Sequence, residues 1–225
     1  ILDSCLEYLD KASVHLAPKV MSPFSWLVID KLRERILQYP SHLPSNNMLL
    51  EINDQRVGTL TSIVDSLAKI VEAEERRPAC IMHGDFCFSN MLYDLRSDRI
   101  QLIDPRGLIR SEASIYGDIR YDIAKLGHSI VGRYDQILGE KIESDAAGSS
   151  FQLIIPSDEE RDWLVDEFFN SQIGADCFDS PAVKAAIVSL FLSMVPLHSE
   201  DPQRQQALFA NGLRLFASFF PTLVI

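Results

Sequence analysis

The hydrophobic periodicity of this chain changes abruptly near residue 79, and that change constrains its fold more than any other feature. Apolar residues recur at helical spacing on either side, but Ala79-Cys80-Ile81-Met82 is a short continuous apolar run that leads into His83-Gly84-Asp85. Two further apolar runs, at 91–93 and 100–103, flank a turn-rich stretch. We therefore expect a small β-hairpin inside a mainly α, overall α+β, domain.

The segments around this hairpin are predicted to be helical. Apolar spacing indicates two helices joined by a short loop within residues 2–37, and a long amphipathic helix over 57–71 that includes Gly58. A further helix is predicted over 121–131. An extended segment at 151–155 should follow a mobile loop at 139–150.

The C-terminal third carries clear helix starts. Ser157-Asp158-Glu159-Glu160 has the form of a capping box, and Ser180-Pro181 and Asp201-Pro202 each put a capping side chain before a proline suited to the first turn. Three helices are expected there, at about 158–173, 181–195 and 202–219.

Composition excludes some partners. The net charge is −11, and the basic clusters are no larger than Arg33/Arg35 and Arg76/Arg77, so a nucleic-acid partner is not expected. The longest apolar stretch, 182–197, is shorter than the ~20 residues of a membrane span and is interpreted as a core helix, so no membrane partner is expected. The 4 cysteines are scattered, which favours reduced thiols in a cytoplasmic protein.

The register of the hairpin brings two polar residues together. If 95–98 form its loop, residue 94 pairs with 99, and stepping back along both strands puts residue 90 opposite 103. Asn90 and Asp104 then emerge at the open end, and the loop from His83 leads to the same end with Asp85. An amide oxygen and a carboxylate suit Mg²⁺, and a second carboxylate on the loop suits the general base for a hydroxyl. This division of labour is typical of phosphoryl transfer.

At these residues the sequence resembles the aminoglycoside phosphotransferase and choline kinase family, which shares His-Gly-Asp-x-x-x-x-Asn followed about fourteen positions later by Ile-Asp. The resemblance implies a helical C-terminal lobe of a protein-kinase-like fold with a β-hairpin at the active site. This single lobe would span residues 1–225, with a catalytic loop at 83–90 and a metal motif at 103–107. It implies Asp85 as the catalytic aspartate, Asn90 and Asp104 as ligands of Mg²⁺ and the nucleotide, and His83 as support for the loop.

A second motif extends the resemblance. Gly117-Asp118-Ile119-Arg120-Tyr121-Asp122-Ile123-Ala124 is similar to the family segment that ends in Asp-Ile-Ala, and there Asp122 would brace the catalytic loop through backbone hydrogen bonds. The chain departs from many relatives at Pro105-Arg106-Gly107, where they carry Trp or Phe and then Glu. This variant resembles a branch associated with bacterial surface-polysaccharide loci, and it disfavours antibiotic resistance as the function.

Several residues allow two interpretations. Arg106 either contacts phosphate or a substrate anion, or pairs with a nearby carboxylate. Cys87 is expected to be a buried filler rather than a reactive thiol. Asp118 is expected to cap a helix rather than line the site, and His128 and His198 are expected to be core or interface histidines.

The nucleotide-clamping half of such an enzyme is not apparent in this sequence. Residues 1–83 contain a single glycine, Gly58, and Lys11, Lys19, Lys31 and Lys69 all fall on or beside helical patterns rather than in a strand. The chain begins at Ile1 without an initiator methionine or a signal pattern. We expect it to be the remainder of a longer chain, and this portion alone to be inactive.

The function expected from these features is phosphate transfer from ATP or GTP to a hydroxyl of a sugar, amino sugar or amino alcohol. The acceptor pocket is expected at 139–156 and the C-terminal helices, while the acceptor, the preferred nucleotide and the oligomeric state stay open. The alternative is a non-catalytic, pseudokinase-like binding or scaffold domain, which has no need of Asp85, Asn90 and Asp104 together. A metal-dependent hydrolase would require further His or carboxylate ligands near the hairpin.

Overall fold

Helices predominate in the structure, a computed structural model that describes residues 1–74, 76–97, 99–139, 142 and 144–224. The α-helices of the described residues are α1 (Leu2–Ser13), α2 (Lys31–Ile36), α3 (Leu60–Glu72), α4 (Ile119–Ile130), α5 (Tyr134–Leu138), α6 (Glu159–Asn170), α7 (Pro181–Met194) and α8 (Pro202–Phe219). A π-helical turn (Trp26–Asp30) leads into α2, and 3₁₀ turns cover Phe88–Asn90, Val195–His198 and Pro221–Leu223. Small sheets complete the fold, so the α+β class expected from the sequence is confirmed.

The strands of the described residues are short. They form a sheet in the order β1-β4-β9, a sheet in the order β10-β11-β2-β3, and the hairpins β5-β6, β7-β8 and β12-β13. Their bounds are β1 (Leu16–Met21), β2 (Leu49–Ile52), β3 (Gln55–Thr59), β4 (Pro78–Ile81), β5 (Met91–Asp94), β6 (Arg99–Leu102), β7 (Leu108–Ile109), β8 (Glu112–Ala113), β9 (Tyr116–Gly117), β10 (Ser144–Ala147), β11 (Ser150–Leu153), β12 (Gln172–Ile173) and β13 (Asp176–Cys177).

Helix α7 lies at the centre of the core and packs against α2, α3, α4 and α8. Two glycines allow close approach: a Cβ on Gly127 of α4 would lie 2.6 Å from Ile187, and one on Gly212 of α8 would lie 2.7 Å from Leu192. By length and composition alone, Pro181–His198 could cross a membrane, but 61% of it is buried inside the protein. Within this fold it serves as the core helix, and α4, which carries the loop-bracing residue, packs directly on it.

The C-terminal helices follow the prediction closely. Ser180 and Asp201 cap α7 and α8, each by accepting hydrogen bonds from backbone N–H groups of the first turn. At α6 the cap is Asp158, one residue later than the predicted Ser157, and its side chain accepts from the N–H of Arg161.

The N-terminal third contains more strand than predicted. A strand, β1, lies between the first two helices, where only a loop was expected. The predicted helix over 57–71 begins only at Leu60, and Gly58 lies in β3 with φ +92° rather than in a helix. The turn between β2 and β3 is Asn53-Asp54, both in the left-handed region, which suits a two-residue hairpin. Long-range pairing stabilises it, because β2 also pairs in parallel with β11.

The predicted mobile loop at 139–150 is partly ordered as strand. β10 pairs antiparallel with β11, and Gly148 takes the turn between them at φ +66°. Residues 140, 141 and 143 lie outside the described residues. The extended segment predicted at 151–155 corresponds to β11, which runs over Ser150–Leu153.

Candidate active site

The central hairpin has the register predicted from the sequence. Asp94 pairs with Arg99 and Met91 pairs with Leu102, and the N–H of Ile103 donates to the carbonyl of Asn90 at 3.0 Å. Asn90 and Asp104 therefore lie at the open end of β5-β6. Of the predicted loop at 95–98, residue 98 lies outside the described residues.

Asp122 holds the loop that precedes this hairpin. Its two carboxylate oxygens each accept a backbone N–H at 2.7 Å, one from His83 and one from Gly84, and the side chain is fully buried. These are the hydrogen bonds that the sequence predicted. Burial raises the pKa of Asp122 to about 7, while the two N–H donors favour the ionised form.

His83 supports the loop from within. The imidazole is buried, and its Nδ1 accepts the backbone N–H of Asp85 at 3.3 Å. Burial lowers the pKa of His83, so the ring is neutral near pH 7. A neutral ring that bonds to the loop backbone is suited to a structural role rather than to proton transfer.

Asp85 is held from two sides. On the hairpin side, the amide Nδ2 of Asn90 donates to Asp85 Oδ2 at 2.9 Å and to the Asp85 carbonyl at 3.0 Å. On the side of α4, Nζ of Lys125 lies 2.7 Å from Asp85 Oδ1. Partial burial alone would raise the pKa of Asp85, but Lys125 and the Asn90 amide outweigh it, and the pKa is lowered. The carboxylate is thus ionised and oriented, as a general base must be.

Lys125 is a site residue that the sequence reasoning missed. Its side chain is only 11% exposed, and it lies one helical turn beyond Asp122 on α4. The signal for it was the spacing: residues three and four apart on a helix share a face, so Tyr121, Asp122 and Lys125 approach the catalytic loop together.

Asn90 and Asp104 offer a donor set that fits Mg²⁺. Because the Nδ2 of Asn90 is engaged with Asp85, its amide oxygen is left as the available ligand atom. Asp104 is exposed, and its carboxylate makes no hydrogen bond or ion pair with another described residue. Asp104 also has φ +55°, a strained conformation for a non-glycine residue that is common at functional sites. Two oxygen ligands, with the remaining positions left to water and phosphate, suit this ion.

Asn90 and Asp104 are not part of a denser metal cluster within the described residues. Over the described ranges, no group of three or more His, Cys, Asp or Glu side chains is positioned to hold a metal ion. The additional ligands that a metal-dependent hydrolase would require are therefore not found in this part of the chain.

Arg106 joins the metal motif to the catalytic loop. Its N–H donates to the carbonyl of His83 at 2.8 Å, and its side chain covers Gly84, where an added Cβ would lie 2.7 Å from Arg106 Cβ. Its guanidinium lies 5.4 Å from the centre of the Tyr121 ring, with Nη2 3.4 Å from the hydroxyl. The sequence left two interpretations of Arg106 open. An ion pair between Arg106 and a carboxylate is not seen among the described residues.

Asp118 caps α4, as predicted, and is also the centre of a buried ion-pair network. It accepts from the N–H of Arg120 and forms ion pairs with the guanidinium groups of Arg77 and Arg120, both at 2.9 Å. Burial opposes ionisation of this carboxylate, but the two arginines outweigh it and hold the pKa of Asp118 well below its ordinary value. The network fixes the start of α4 and hence the position of Asp122.

The remaining candidates have structural roles. Cys87 is buried and its thiol lies 3.2 Å from the hydroxyl of Ser89, and burial raises the pKa of this thiol, so it is a filler, as predicted. His128 is buried between the rings of Tyr134 and Phe191, as predicted. His198 lies 3.2 Å from the Tyr134 hydroxyl.

Comparison of the chain with protein-family models, with curated proteins and with solved structures returned no match in any of the three. The assignment of a function therefore rests on the geometry of this site.

Proposed function

We propose that this chain carries the catalytic and metal-binding half of a phosphotransferase with a kinase-like C-terminal lobe. The reaction moves the γ-phosphate of ATP or GTP to a hydroxyl of a small molecule. The observation that carries the proposal is the arrangement of Asp85: an ionised carboxylate, bonded to Asn90 and Lys125, beside the open end of the hairpin that bears Asp104.

Asp85 acts as the general base in this proposal. It accepts the proton of the acceptor hydroxyl as the new bond forms between that oxygen and the γ-phosphorus. The bond from the γ-phosphorus to the bridging oxygen breaks, and the nucleoside diphosphate leaves with the electron pair. Lys125 keeps the carboxylate ionised and fixes the direction of Oδ1, while Asn90 fixes Oδ2.

Asn90 and Asp104 hold Mg²⁺ in this proposal. The ion neutralises charge on the phosphates of the nucleotide when bound. Asp122 and His83 do not touch the reactants. They hold the backbone of the catalytic loop, so the position of Asp85 depends on them.

The alternative remains a non-catalytic binding or scaffold domain. Such a domain has no need of an exposed carboxylate at Asp104 or of a buried lysine that orients Asp85. These features support the enzyme.

The test is phosphoryl transfer by the natural full-length protein with Mg²⁺ and ATP or GTP, followed by phosphorus NMR over a panel of small alcohols. We expect Asp85→Asn to lower turnover by about 10²-fold or more. Asp104→Asn, which tolerates the left-handed backbone, should raise the Mg²⁺ concentration needed for half-maximal rate. The exposed Asp65→Asn on α3 is the matched control. Wild-type turnover in the Asp85 variant would contradict the proposal, and transfer by none of the proteins would favour the scaffold.

A further inference from the structure

Two cationic side chains, Lys31 and Arg106, meet at the buried hydroxyl of Tyr121. Nζ of Lys31, from α2, and Nη2 of Arg106, from the loop after β6, each lie 3.4 Å from the hydroxyl oxygen of Tyr121 on α4. Both also face the ring of Tyr121, at 5.7 Å and 5.4 Å from its centre. Lys125 lies one turn farther along the same helix.

Among the described residues, one cation near Tyr121 has a carboxylate partner. Lys125 pairs with Asp85, but neither Lys31 nor Arg106 forms an ion pair with any acidic side chain in the described ranges. The nearest acidic neighbour of Lys31 in sequence, Asp30, lies 4.0 Å from Arg33 instead. The charge of Arg106 acts on Asp85 and Asp122, but Asp85 is already paired with Lys125, and Asp122 is bonded to the backbone N–H groups of His83 and Gly84.

The charges in this cluster repel one another. Burial lowers the pKa of Lys31; the Tyr121 hydroxyl opposes this shift, and the charges of Arg106 and Lys125 add to it. Burial alone would raise the pKa of Tyr121, but Lys125, Lys31 and Arg106 outweigh it, and the pKa is lowered. Holding two unpaired cations close together costs stability, and a bound anion would remove that cost.

The cluster is the size of a single anionic group. Because both nitrogens lie 3.4 Å from the same oxygen, they are at most about 7 Å apart, a span that one phosphate or carboxylate can bridge. Arg106 can donate two parallel hydrogen bonds and Lys31 a third.

Lys125 links the helix that carries Tyr121 to one oxygen of the Asp85 carboxylate. Asn90, which belongs to the metal-binding end of the hairpin, contacts Oδ2, whereas Lys125, from the helix that carries Tyr121, contacts Oδ1. A cleft of about 1280 Å³ is lined in part by Asp30 and Gly107, the chain neighbours of Lys31 and Arg106, but not by Lys31, Arg106 or Asp85 themselves.

We propose that Lys31 and Arg106 bind an anionic group, a phosphate or carboxylate, on the acceptor itself. The acceptor is then a phosphorylated or acidic sugar or polyol, rather than an amino sugar or an amino alcohol. This inference rests on the proposed phosphotransferase function. In it, the Arg106 side chain contacts the acceptor rather than the nucleotide.

The test is calorimetric titration of this chain with glycerol 3-phosphate, a small alcohol that carries a phosphate, at constant ionic strength and without nucleotide. Glycerol and ethanolamine are the uncharged and cationic comparisons. We expect wild-type protein to bind glycerol 3-phosphate, and Lys31→Met and Arg106→Met each to weaken binding about tenfold or more. Lys69→Met, an exposed lysine on α3, is the matched control and should bind like wild type.

Lys31→Met also reports on folding, because removing one of two repelling cations should leave the melting temperature unchanged or higher. Equal affinity in the Lys31 variant, or tighter binding of ethanolamine than of glycerol 3-phosphate, would overturn the inference. Binding that requires Mg²⁺ and is lost in Asp104→Asn would assign the cluster to the nucleotide and overturn it as well. If the protein transfers phosphate but does not bind glycerol 3-phosphate, this inference is wrong and the proposed function stands. If it binds glycerol 3-phosphate but transfers no phosphate, the proposed function is wrong, and the bound molecule is not an acceptor.

Discussion

Nζ of Lys125 lies 2.7 Å from Oδ1 of Asp85, and this contact joins helix α4 to the loop that follows β4. The lysine is almost fully buried, while about a third of the Asp85 side chain is exposed. The pair is therefore anchored from inside the protein, and only the carboxylate faces the site.

We predict that Asp85 and Lys125 are energetically coupled. Asp85→Asn leaves a buried ammonium without its partner, and Lys125→Met leaves the carboxylate without its counter-charge, so each variant should lose stability. The double variant should lose less than the sum of the two, with a coupling of about 0.5–3 kcal/mol. Urea unfolding of the four proteins measures this, and strict additivity would show that the contact is not formed in solution.

We predict that Asp122→Ala destabilises the protein and loosens the catalytic loop. The substitution leaves the backbone N–H groups of His83 and Gly84 buried without an acceptor, at about 1–3 kcal/mol for each unsatisfied donor. In the variant, hydrogen exchange should show a greater loss of protection at these two amides than at the other amides of the protein. Asp65→Ala, on the exposed face of α3, serves as the control. Unchanged protection would mean that Asp122 does not brace the loop.

The stabilising effect of Asp118 should depend on pH. Its pKa is held below the ordinary value of 3.8, so its contribution is fully present above that value and is lost as the pH falls below it. At pH 7, Asp118→Asn should cost about 1–3 kcal/mol, because Arg77 and Arg120 lose their shared partner but keep their pairs with Asp176 and Glu74. Urea unfolding measures the free energy of unfolding of wild type and variant. The difference between the two free energies should become smaller below about pH 4. The other carboxylates titrate in the same way in both proteins. A difference in the free energy of unfolding that does not change with pH would therefore contradict the ion-paired role of Asp118.

Gly84→Ala should disrupt the site through a steric clash as well as backbone strain. Gly84 has φ +79°, and an added Cβ would lie 2.7 Å from Cβ of Arg106. Gly148 has a similar positive φ of +66° with nothing within 4 Å, so Gly148→Ala measures the strain alone. We expect a loss of about 1 kcal/mol at Gly148 and about 1–3 kcal/mol more at Gly84. Equal losses in denaturant unfolding would show that Arg106 does not cover Gly84.

Local features of the sequence predicted much of the site. The register of β5-β6 follows from a turn a few residues long and two short apolar runs, because pairing across a tight turn leaves few alternatives. The caps of α7 and α8 depend on one side chain and the next three N–H groups, so they too could be read directly. The errors at α6 were a shift of one residue between two adjacent capping residues and an end at Asn170 rather than near 173, where β12 is a strand.

Features that depend on distant partners were missed. β1 pairs with β4, and β2 pairs with β11 across about a hundred residues, so strand was favoured where local spacing indicated loop or helix. The Asn53-Asp54 turn was a signal for the β2-β3 hairpin, but the apolar spacing after it also fits a helix, and only the pairing distinguishes the two.

The sequence by itself determined the hairpin and its polar end, because both depend on spacing within a short stretch of chain, whereas the bracing role of Asp122 was implied by the family resemblance. Only the tertiary structure decided which cations meet at Asp85 and Tyr121. Lys31, Arg106 and Lys125 come from three separate elements, and packing of α2 and α4 on the core helix α7 brings them within reach of one another. The net charge around the site depends on which distant residues the fold brings together, and no short sequence pattern specifies it.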